Sequence, residues 1–553
     1  MKIKPILEIA KSIGILKEEI ELYGEYKSKV KLEILDRLKN NKKAKYIVVT
    51  GITPTPLGEG KTTTALGISA ALNKFGKTSI CCIRQPSLGP FFGIKGASGG
   101  GGIDVVPKED FNLFLNGDFY AISSAHNLCT SFLFNAIYRS QIKISKDKTF
   151  WRYVYEFSDR FLREVTIGED IKDNNFFPFR TGFDSTATSE VMSIVSLSCS
   201  FQELKEKLSR IVLGFTESNI PVTTQDIKVV GAMALLLKDT LKPNLMQTTE
   251  NTPVFVHTGP FANISHGNSS IVADKIALLL SDYVITESGF GSDCGFEKFV
   301  NIKCRYSKEN PDCALLVCTL RALKVHSGKI EVKVGKPLPE EVCRENIKLL
   351  EEGSVNLKKH IENIKIFGIP VVVVINKFDT DTEKEINYVV KFAKEFGADG
   401  VAVSEIWHKG VEGAKDVVDY VIKVCENLKS KFKFLYSLEE PIEEKIYKVA
   451  TKIYGAKDIC ISQKASKKLE ILKQNGFDKL PVCIAKTQFS LSHEPSLKGA
   501  PNDFVLPIDD VIPFVGAGYI TVICGNIKTL PGLPSQPMGT KLDINENGNI
   551  LYF

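Results

Sequence analysis

The sequence predicts an α/β protein whose large, mostly parallel sheet is flanked by helices. Three observations carry this expectation. Short apolar runs recur along the chain at 46–49, 78–83, 253–256, 282–287, 312–320, 369–374 and 401–403, and read as buried strands rather than half-exposed ones. Several of them end in loops rich in Gly, Pro or polar residues, where α/β sheets place their ligands. The composition, 43% hydrophobic and 25% charged over 553 residues, is that of a globular chain long enough for about three to four domains of ~150 residues.

Residues 1–45 are expected to be helical, with Ile6, Ile9, Ala10 and Ile13 at helical spacing before a charged stretch. The strand Tyr46–Val49 then runs into a Gly-, Pro- and Thr-rich loop, and Lys61-Thr62-Thr63-Thr64 opens a helical pattern to Leu72. Strand, glycine loop, Lys-Thr and helix are the parts of a phosphate cradle. Gly58 and Gly60 let backbone N–H groups approach an anion, and the helix start adds its positive end. Lys61 can reach the outer phosphates, and the Thr62 hydroxyl can ligate Mg²⁺. The loop residues Thr55, Pro56, Leu57, Gly58, Glu59, Gly60, Lys61 and Thr62 are therefore the expected ATP-binding set. The usual spacing asks for Gly at position 55, where this chain has Thr55.

A second strand, Thr78–Ile83, delivers Arg84 into a shaped loop, Arg84 to Pro107. Pro86, Pro90 and Phe91-Phe92 stiffen it, and four glycines follow at 99–102. Residues 126–239 look mostly helical, with a polar capping loop at Arg180–Glu190. Strand 253–256 delivers His257; with His266 nine residues on, a metal pair is conceivable. No third ligand sits at a helpful spacing, so hydrogen-bonding roles are expected. Strands at 282–287 and 312–320 follow.

After strand 369–374 comes Asn376-Lys377-Phe378-Asp379, which fits the guanine-reading NKxD pattern and keeps a GTPase or regulatory NTPase open as an alternative. Strand signals continue from Val401 through Trp407. Trp407 could be plain core or a stacking platform for a flat ring. Residues 430–480 are Lys- and Glu-rich and read as helical; the tail from Leu480 reads as loops and strands.

The expected organisation is a P-loop NTPase-like nucleotide-binding domain over 1–350, with a largely helical insertion at about 126–239. Two smaller α/β domains are expected over 351–460 and 461–553.

The net charge of +6 is interspersed and argues against nucleic acid or an anionic membrane as partner. No apolar run approaches the ~18 residues a membrane span requires. The amphipathic N-terminus lacks a signal peptide's core, and its acids argue against a transit peptide, so a cytoplasmic protein is expected. Thirteen scattered cysteines without a CxxC read as reduced thiols.

Taken together, the strings TPLGEGKTTT, RQPSLGPFFGIKG, GDFYAI, TGFDSTATSE, KPNLMQTTENTPVFVHTGPFANISHG, ESGFGSDCGFEKFVNIKCR, LRALK, LPVCIAKTQFS and TLPGLPSQP resemble formate–tetrahydrofolate ligase, collinearly from residue 21 to the end. The resemblance implies ATP-dependent joining of formate to tetrahydrofolate through formyl phosphate, in one-carbon metabolism. It implies Lys61 and Arg84 as catalytic residues, Arg84 gripping formate and the transferred phosphoryl group. Phe378 and Trp407 would sandwich the folate rings, within a pattern N-x-F-x-T-D-T that Asn376 to Thr382 matches and that displaces the GTPase reading of NKFD. Mg²⁺ with ATP, a monovalent cation such as K⁺, and a homotetramer are implied as well. Gln85 stands where the family usually has Glu, on the folate side. The glycine segment is one residue shorter, and Ile103-Asp104 replace a family Tyr and Gln pattern. Altered or lost folate use is the corresponding alternative.

Overall fold

The computed structural model describes residues 2–95, 102–171, 178–332 and 337–551. The expected glycine run at 99–102 falls largely outside them.

The centre is one 11-stranded sheet. Its strands in chain order are β1 (Ile20–Leu22), β2 (Ser28–Val30), β3 (Lys45–Gly51), β4 (Ser79–Ile83), β5 (Val105–Val106), β6 (Asn244–Thr248), β7 (Pro253–Val256), β8 (Tyr283–Gly291), β9 (Cys313–Cys318), β10 (Val371–Asn376) and β11 (Gly400–Ser404). Across the sheet they run β1-β2-β6-β7-β4-β8-β3-β9-β10-β11, with β5 also on β6. The seven strands from β7 to β11 are parallel, and the far edge is antiparallel. Parallel strands buried on both faces need apolar residues at successive positions, and β3 shows why. Tyr46 and Val48 pack into one core while Ile47 and Val49 pack into the other. In β10, Val371, Val373 and Ile375 face the first core and Val372 and Val374 the second.

The helices that position the site are α1 (Lys61–Lys74), α2 (Asp118–Tyr138), α3 (Glu190–Ser196), α4 (Ile271–Leu280), α5 (Leu320–His326), α6 (Ile347–Lys365), α7 (Glu383–Glu395) and α8 (Lys415–Asn427). α1 and α8 supply the core on one face; α4, α5, α6 and α7 supply it on the other. From β3 the chain crosses by α1 to β4 on one side, and from β8 it crosses to β9 on the other. Crevices open at the carboxyl ends where strand order reverses in this way.

Four local expectations are corrected. Residues 1–45 are not wholly helical: Ile20–Leu22 and Ser28–Val30 form an antiparallel hairpin that extends the sheet edge. Among its described residues the segment 126–239 holds most of α2, α3 and the further α-helices Phe201–Ser209 and Val230–Leu236, but Val212–Phe215 and Pro221–Thr223 form a hairpin through the expected helical register. Its strands Tyr153–Tyr155 and Phe183–Ser185 also pair, in parallel. Residues Ile406–Lys409 turn into a helix directly after β11 rather than prolonging it. Within 430–480 a strand, Asp458–Ile461, interrupts the helices.

The segment 351–460, expected as a separate α/β unit, supplies β10 and β11 to the central sheet. The tail builds a three-stranded sheet from Val482–Ala485, Tyr519–Ile523 and Asp510–Phe514. Gly516 and Gly518 lie in the turn of its hairpin. All 13 cysteines are free thiols, ten of them buried. Among the described residues no helix is long and apolar enough to cross a membrane.

Candidate active site

β3 ends at Gly51 and the chain enters the loop that leads to α1. Gly60 caps that helix at φ 75°, and Gly58 also has φ 75°, a region open to glycine at little cost. Thr55, in the place where glycine is usual, has no positive φ and works through its side chain. Its hydroxyl donates to Glu59 Oε1 at 3.1 Å and accepts from Leu57 N at 3.3 Å. Glu59 Oε1 also accepts from Thr55 N at 2.8 Å. The loop is therefore braced by side chains where a glycine would leave only backbone. Lys61 lies over β3: a Cβ at Gly51 would sit 3.2 Å from Lys61 Cδ.

The base of the loop is held by Thr53, whose polar groups are all engaged. Its N–H donates to Asn356 Oδ1 at 3.3 Å, its hydroxyl meets His360 Nε2 at 2.9 Å, and its carbonyl meets His326 Nε2 at 2.8 Å. Burial pulls the imidazole pKa values down, to about 4 for His326 and about 3 for His360, so both rings are neutral near pH 7. Behind them Ser292 meets His360 Nδ1 at 2.7 Å, and the fully buried pair Lys486–Asp293 closes at 2.6 Å. The tail is thus tied to the floor of the loop.

Arg84 follows β4. Its Nη1 donates to Pro260 O at 2.9 Å, and its guanidinium lies against Gly289, where a Cβ would be 2.8 Å from Nη2. Burial lowers its pKa, and the Glu287 carboxylate opposes that shift. Glu287 is in register with Val49 of β3. Its Oε2 accepts from Thr62 Oγ1 at 3.0 Å. β8 therefore stands between the loop of β3 and the arginine of β4, and Glu287 faces both. Two hard oxygen donors, the Thr62 hydroxyl and the Glu287 carboxylate, suit Mg²⁺ arriving with phosphates. Among the described residues no group of three or more His, Cys, Asp or Glu could hold a metal by itself.

Gln85 is buried, 3% exposed, with its N–H on Thr258 O at 2.7 Å and its Oε1 without a hydrogen-bond partner among the described residues. His257 and His266 are far from a metal pair: His257 bridges Ser270 Oγ (2.6 Å) and Thr240 O (2.7 Å), and His266 meets Ser196 Oγ at 2.9 Å.

Phe378 and Trp407 follow adjacent strands, β10 and β11, whose ends are in register at Asn376 and Ser404. The Arg321 guanidinium covers Phe378 at 4.1 Å from its centroid, and Trp407 is 48% exposed. The other tryptophan, Trp151, is core, stacked on His126 at 4.1 Å. Asn376 does more than end β10. Its Nδ2 donates to Glu59 O at 3.3 Å and would lie 2.5 Å from a Cβ at Gly60, so it braces the phosphate loop.

Sequence reasoning passes over Glu287, Gly289 and the Thr53 network. A signal for Glu287 exists: an acid ends an otherwise apolar run. Nothing local marks Gly289 or Thr53, because their partners come from distant strands and helices.

Comparison with known proteins adds two findings. The model of the family described as formate–tetrahydrofolate ligase matches residues 1–552. A formate–tetrahydrofolate ligase of Desulforamulus reducens is 45% identical over 546 residues, covering 98% of this chain and 96% of the relative.

Proposed function

The chain belongs to the formate–tetrahydrofolate ligase family, and from that premise we propose how its residues divide the work. The protein is an ATP-dependent ligase of one-carbon metabolism that joins formate to tetrahydrofolate, giving 10-formyltetrahydrofolate, ADP and phosphate.

The chemistry sets the requirements. A carboxylate oxygen is a poor leaving group, so formate is activated first. Its oxygen attacks the γ-phosphorus, the bond to the β-phosphate oxygen breaks, and formyl phosphate and ADP form. The folate amine then attacks the formyl carbon, loses its proton, and phosphate departs. The protein's share is alignment and charge neutralisation.

In this reading the loop Thr55 to Gly60 and the amino end of α1 cradle the phosphates, and Lys61 neutralises the β/γ charge and then the formyl phosphate. Thr62 and Glu287 hold Mg²⁺, directly or through its waters. Arg84, with a planar fork suited to two oxygens, holds formate and the transferred phosphoryl group. Phe378 and Trp407 clasp the folate rings, and Gln85, its carbonyl oxygen unpaired among the described residues, accepts from the folate. The observation that carries the reading is the convergence of the phosphate loop, Glu287 and Arg84 at the carboxyl ends of the neighbouring strands β3, β8 and β4.

Activation by a monovalent cation such as K⁺ and a homotetramer belong to the same proposal. Omission of K⁺ and sedimentation of the full chain test them.

Arg84→Ala is the decisive variant. It is expected to abolish formate-dependent ADP release while ATP still binds; full activity would remove Arg84 from the mechanism. Nucleotide competition in the same assay separates ATP from GTP.

A further inference from the structure

The loop that carries Arg84 does not stand alone: Ser87 to Pro90 rest on residues 156–158. We propose that Glu156 is a positioning residue for formate activation, its carboxylate fastening this loop so that Arg84 is aimed at formate. The inference rests on the role given to Arg84 above.

Glu156 is buried, and its Oε1 accepts from Leu88 N at 2.9 Å. The backbones are in close contact as well. A Cβ at Gly89 would lie 3.1 Å from Glu156 O and 3.1 Å from Ser158 Oγ, tighter than an ordinary contact, so a side chain there would press the loop away from its floor. Glu156, Ser158, Ser87 and Gly89 line a narrow cavity that Lys528 and Pro531 close from the tail.

The support under Glu156 is itself clamped. Strand 153–155 pairs with strand 183–185, and Ser185 N donates to Thr529 O at 3.0 Å while Thr529 Oγ1 donates to Asp184 Oδ1 at 2.5 Å. The TLPGLPSQP motif thus acquires a role, fixing the floor on which the formate loop lies.

A carboxyl group is a costly choice for this place. Burial raises its pKa to about 7, opposed by the Leu88 amide and the hydroxyls of Ser87 and Thr186. A neutral amide could accept from Leu88 N with a smaller desolvation cost. What the carboxylate adds is a charge-assisted hydrogen bond, roughly twice as strong as a neutral one, and a proton equilibrium. The groups around it are Lys528 across the cavity, Tyr120 on α2, Tyr155 and Asp159 on its own segment, and the pair of Arg152, just before the first strand, with Asp184 on the second. The ionised form grips the loop and the protonated form loosens it, so formate use falls as pH drops through about 7.

The test compares wild type, E156Q, E156A and R84A in ADP release with ATP, tetrahydrofolate and titrated formate from about pH 6 to 8, spanning the range in which a perturbed carboxyl titrates. Calorimetric ATP affinity and thermal unfolding accompany it. E156A is expected to raise KM for formate about tenfold, with ATP affinity unchanged. E156Q, which keeps a neutral acceptor for Leu88 N, is expected to match wild type at low pH, recovering only part of that loss, and to abolish the fall of kcat/KM below about pH 7. An E156Q profile that titrates like wild type, or an E156A KM for formate equal to wild type, overturns the proposal even if the other variant fails to fold. R84A separates the two ideas. Undiminished formate use there sinks the reading of Arg84. An inactive R84A beside a titrating E156Q sinks only the present inference.

Discussion

Gly289→Ala probes the arginine without deleting it. Gly289 does not have a positive φ, so alanine is conformationally permitted and any loss comes from space alone. The new methyl would sit 2.5 Å from Ala262 Cβ, 2.8 Å from Arg84 Nη2 and 3.1 Å from Arg84 Cζ. Ordinary contacts are ~3.5–4.0 Å, so the guanidinium or the 260–262 loop has to shift by about 1 Å. Overpacking of this kind costs about 1–3 kcal/mol of stability. A misplacement of about 1 Å in a substrate-holding group costs on the order of 100-fold in rate, equivalent to about 2.7 kcal/mol of barrier. The assay is ADP release at saturating ATP with formate titrated, beside calorimetric ATP binding. The expected result is kcat/KM for formate lowered about 100-fold with ATP affinity within about twofold of wild type. Gly231→Ala is the control: nothing lies within 4 Å of its Cβ position and it sits in a helix, so it should be neutral or stabilising by up to ~1 kcal/mol. Unchanged formate kinetics in Gly289→Ala, or an equal loss of ATP binding, refutes the placement of Arg84 as the formate-holding group.

Other perturbations follow from the same geometry. Tetrahydrofolate should quench tryptophan fluorescence in the wild type and not in Trp407→Phe, since Trp407 is exposed while Trp151 is stacked in the core; quenching that persists rules out Trp407 as a folate platform. Lys486→Met leaves Asp293 buried and unpaired beneath the phosphate loop, which should cost about 3–5 kcal/mol in denaturant unfolding. Glu190→Gln should raise thermal stability relative to wild type increasingly from about pH 5 to 8 and no further above. Burial raises the Glu190 carboxyl to about 8, against an ordinary value of 4.5. Its contribution is therefore intact below pH 4.5 and lost as pH climbs through about 8, and the amide escapes that loss. A difference between the two proteins that is flat with pH contradicts the buried, protonated state of Glu190.

Much of this protein is legible without coordinates where the signal is contiguous. The central strands announce themselves because residues buried on both faces cannot alternate with polar ones, and β3, β9 and β10 are unbroken apolar runs over most of their length. The phosphate loop is legible because its glycines, lysine and threonines act within one turn of chain. The amino-terminal hairpin is not, because three-residue strands at an antiparallel edge carry too few side chains to show a period. The hairpin at 212–223 lies between true helices and borrows their pattern.

What tertiary structure alone decided is adjacency. That Glu287 meets Thr62, that Asn376 leans on Gly60 and that Gly289 underlies Arg84 all follow from the order β4-β8-β3-β9-β10. Strand order is set by how helices on two faces share the burial of the sheet, a property of the whole chain. Chemistry carried by neighbouring residues is therefore written locally, while the groups that aim it arrive from strands hundreds of residues away and are known only once the sheet is assembled.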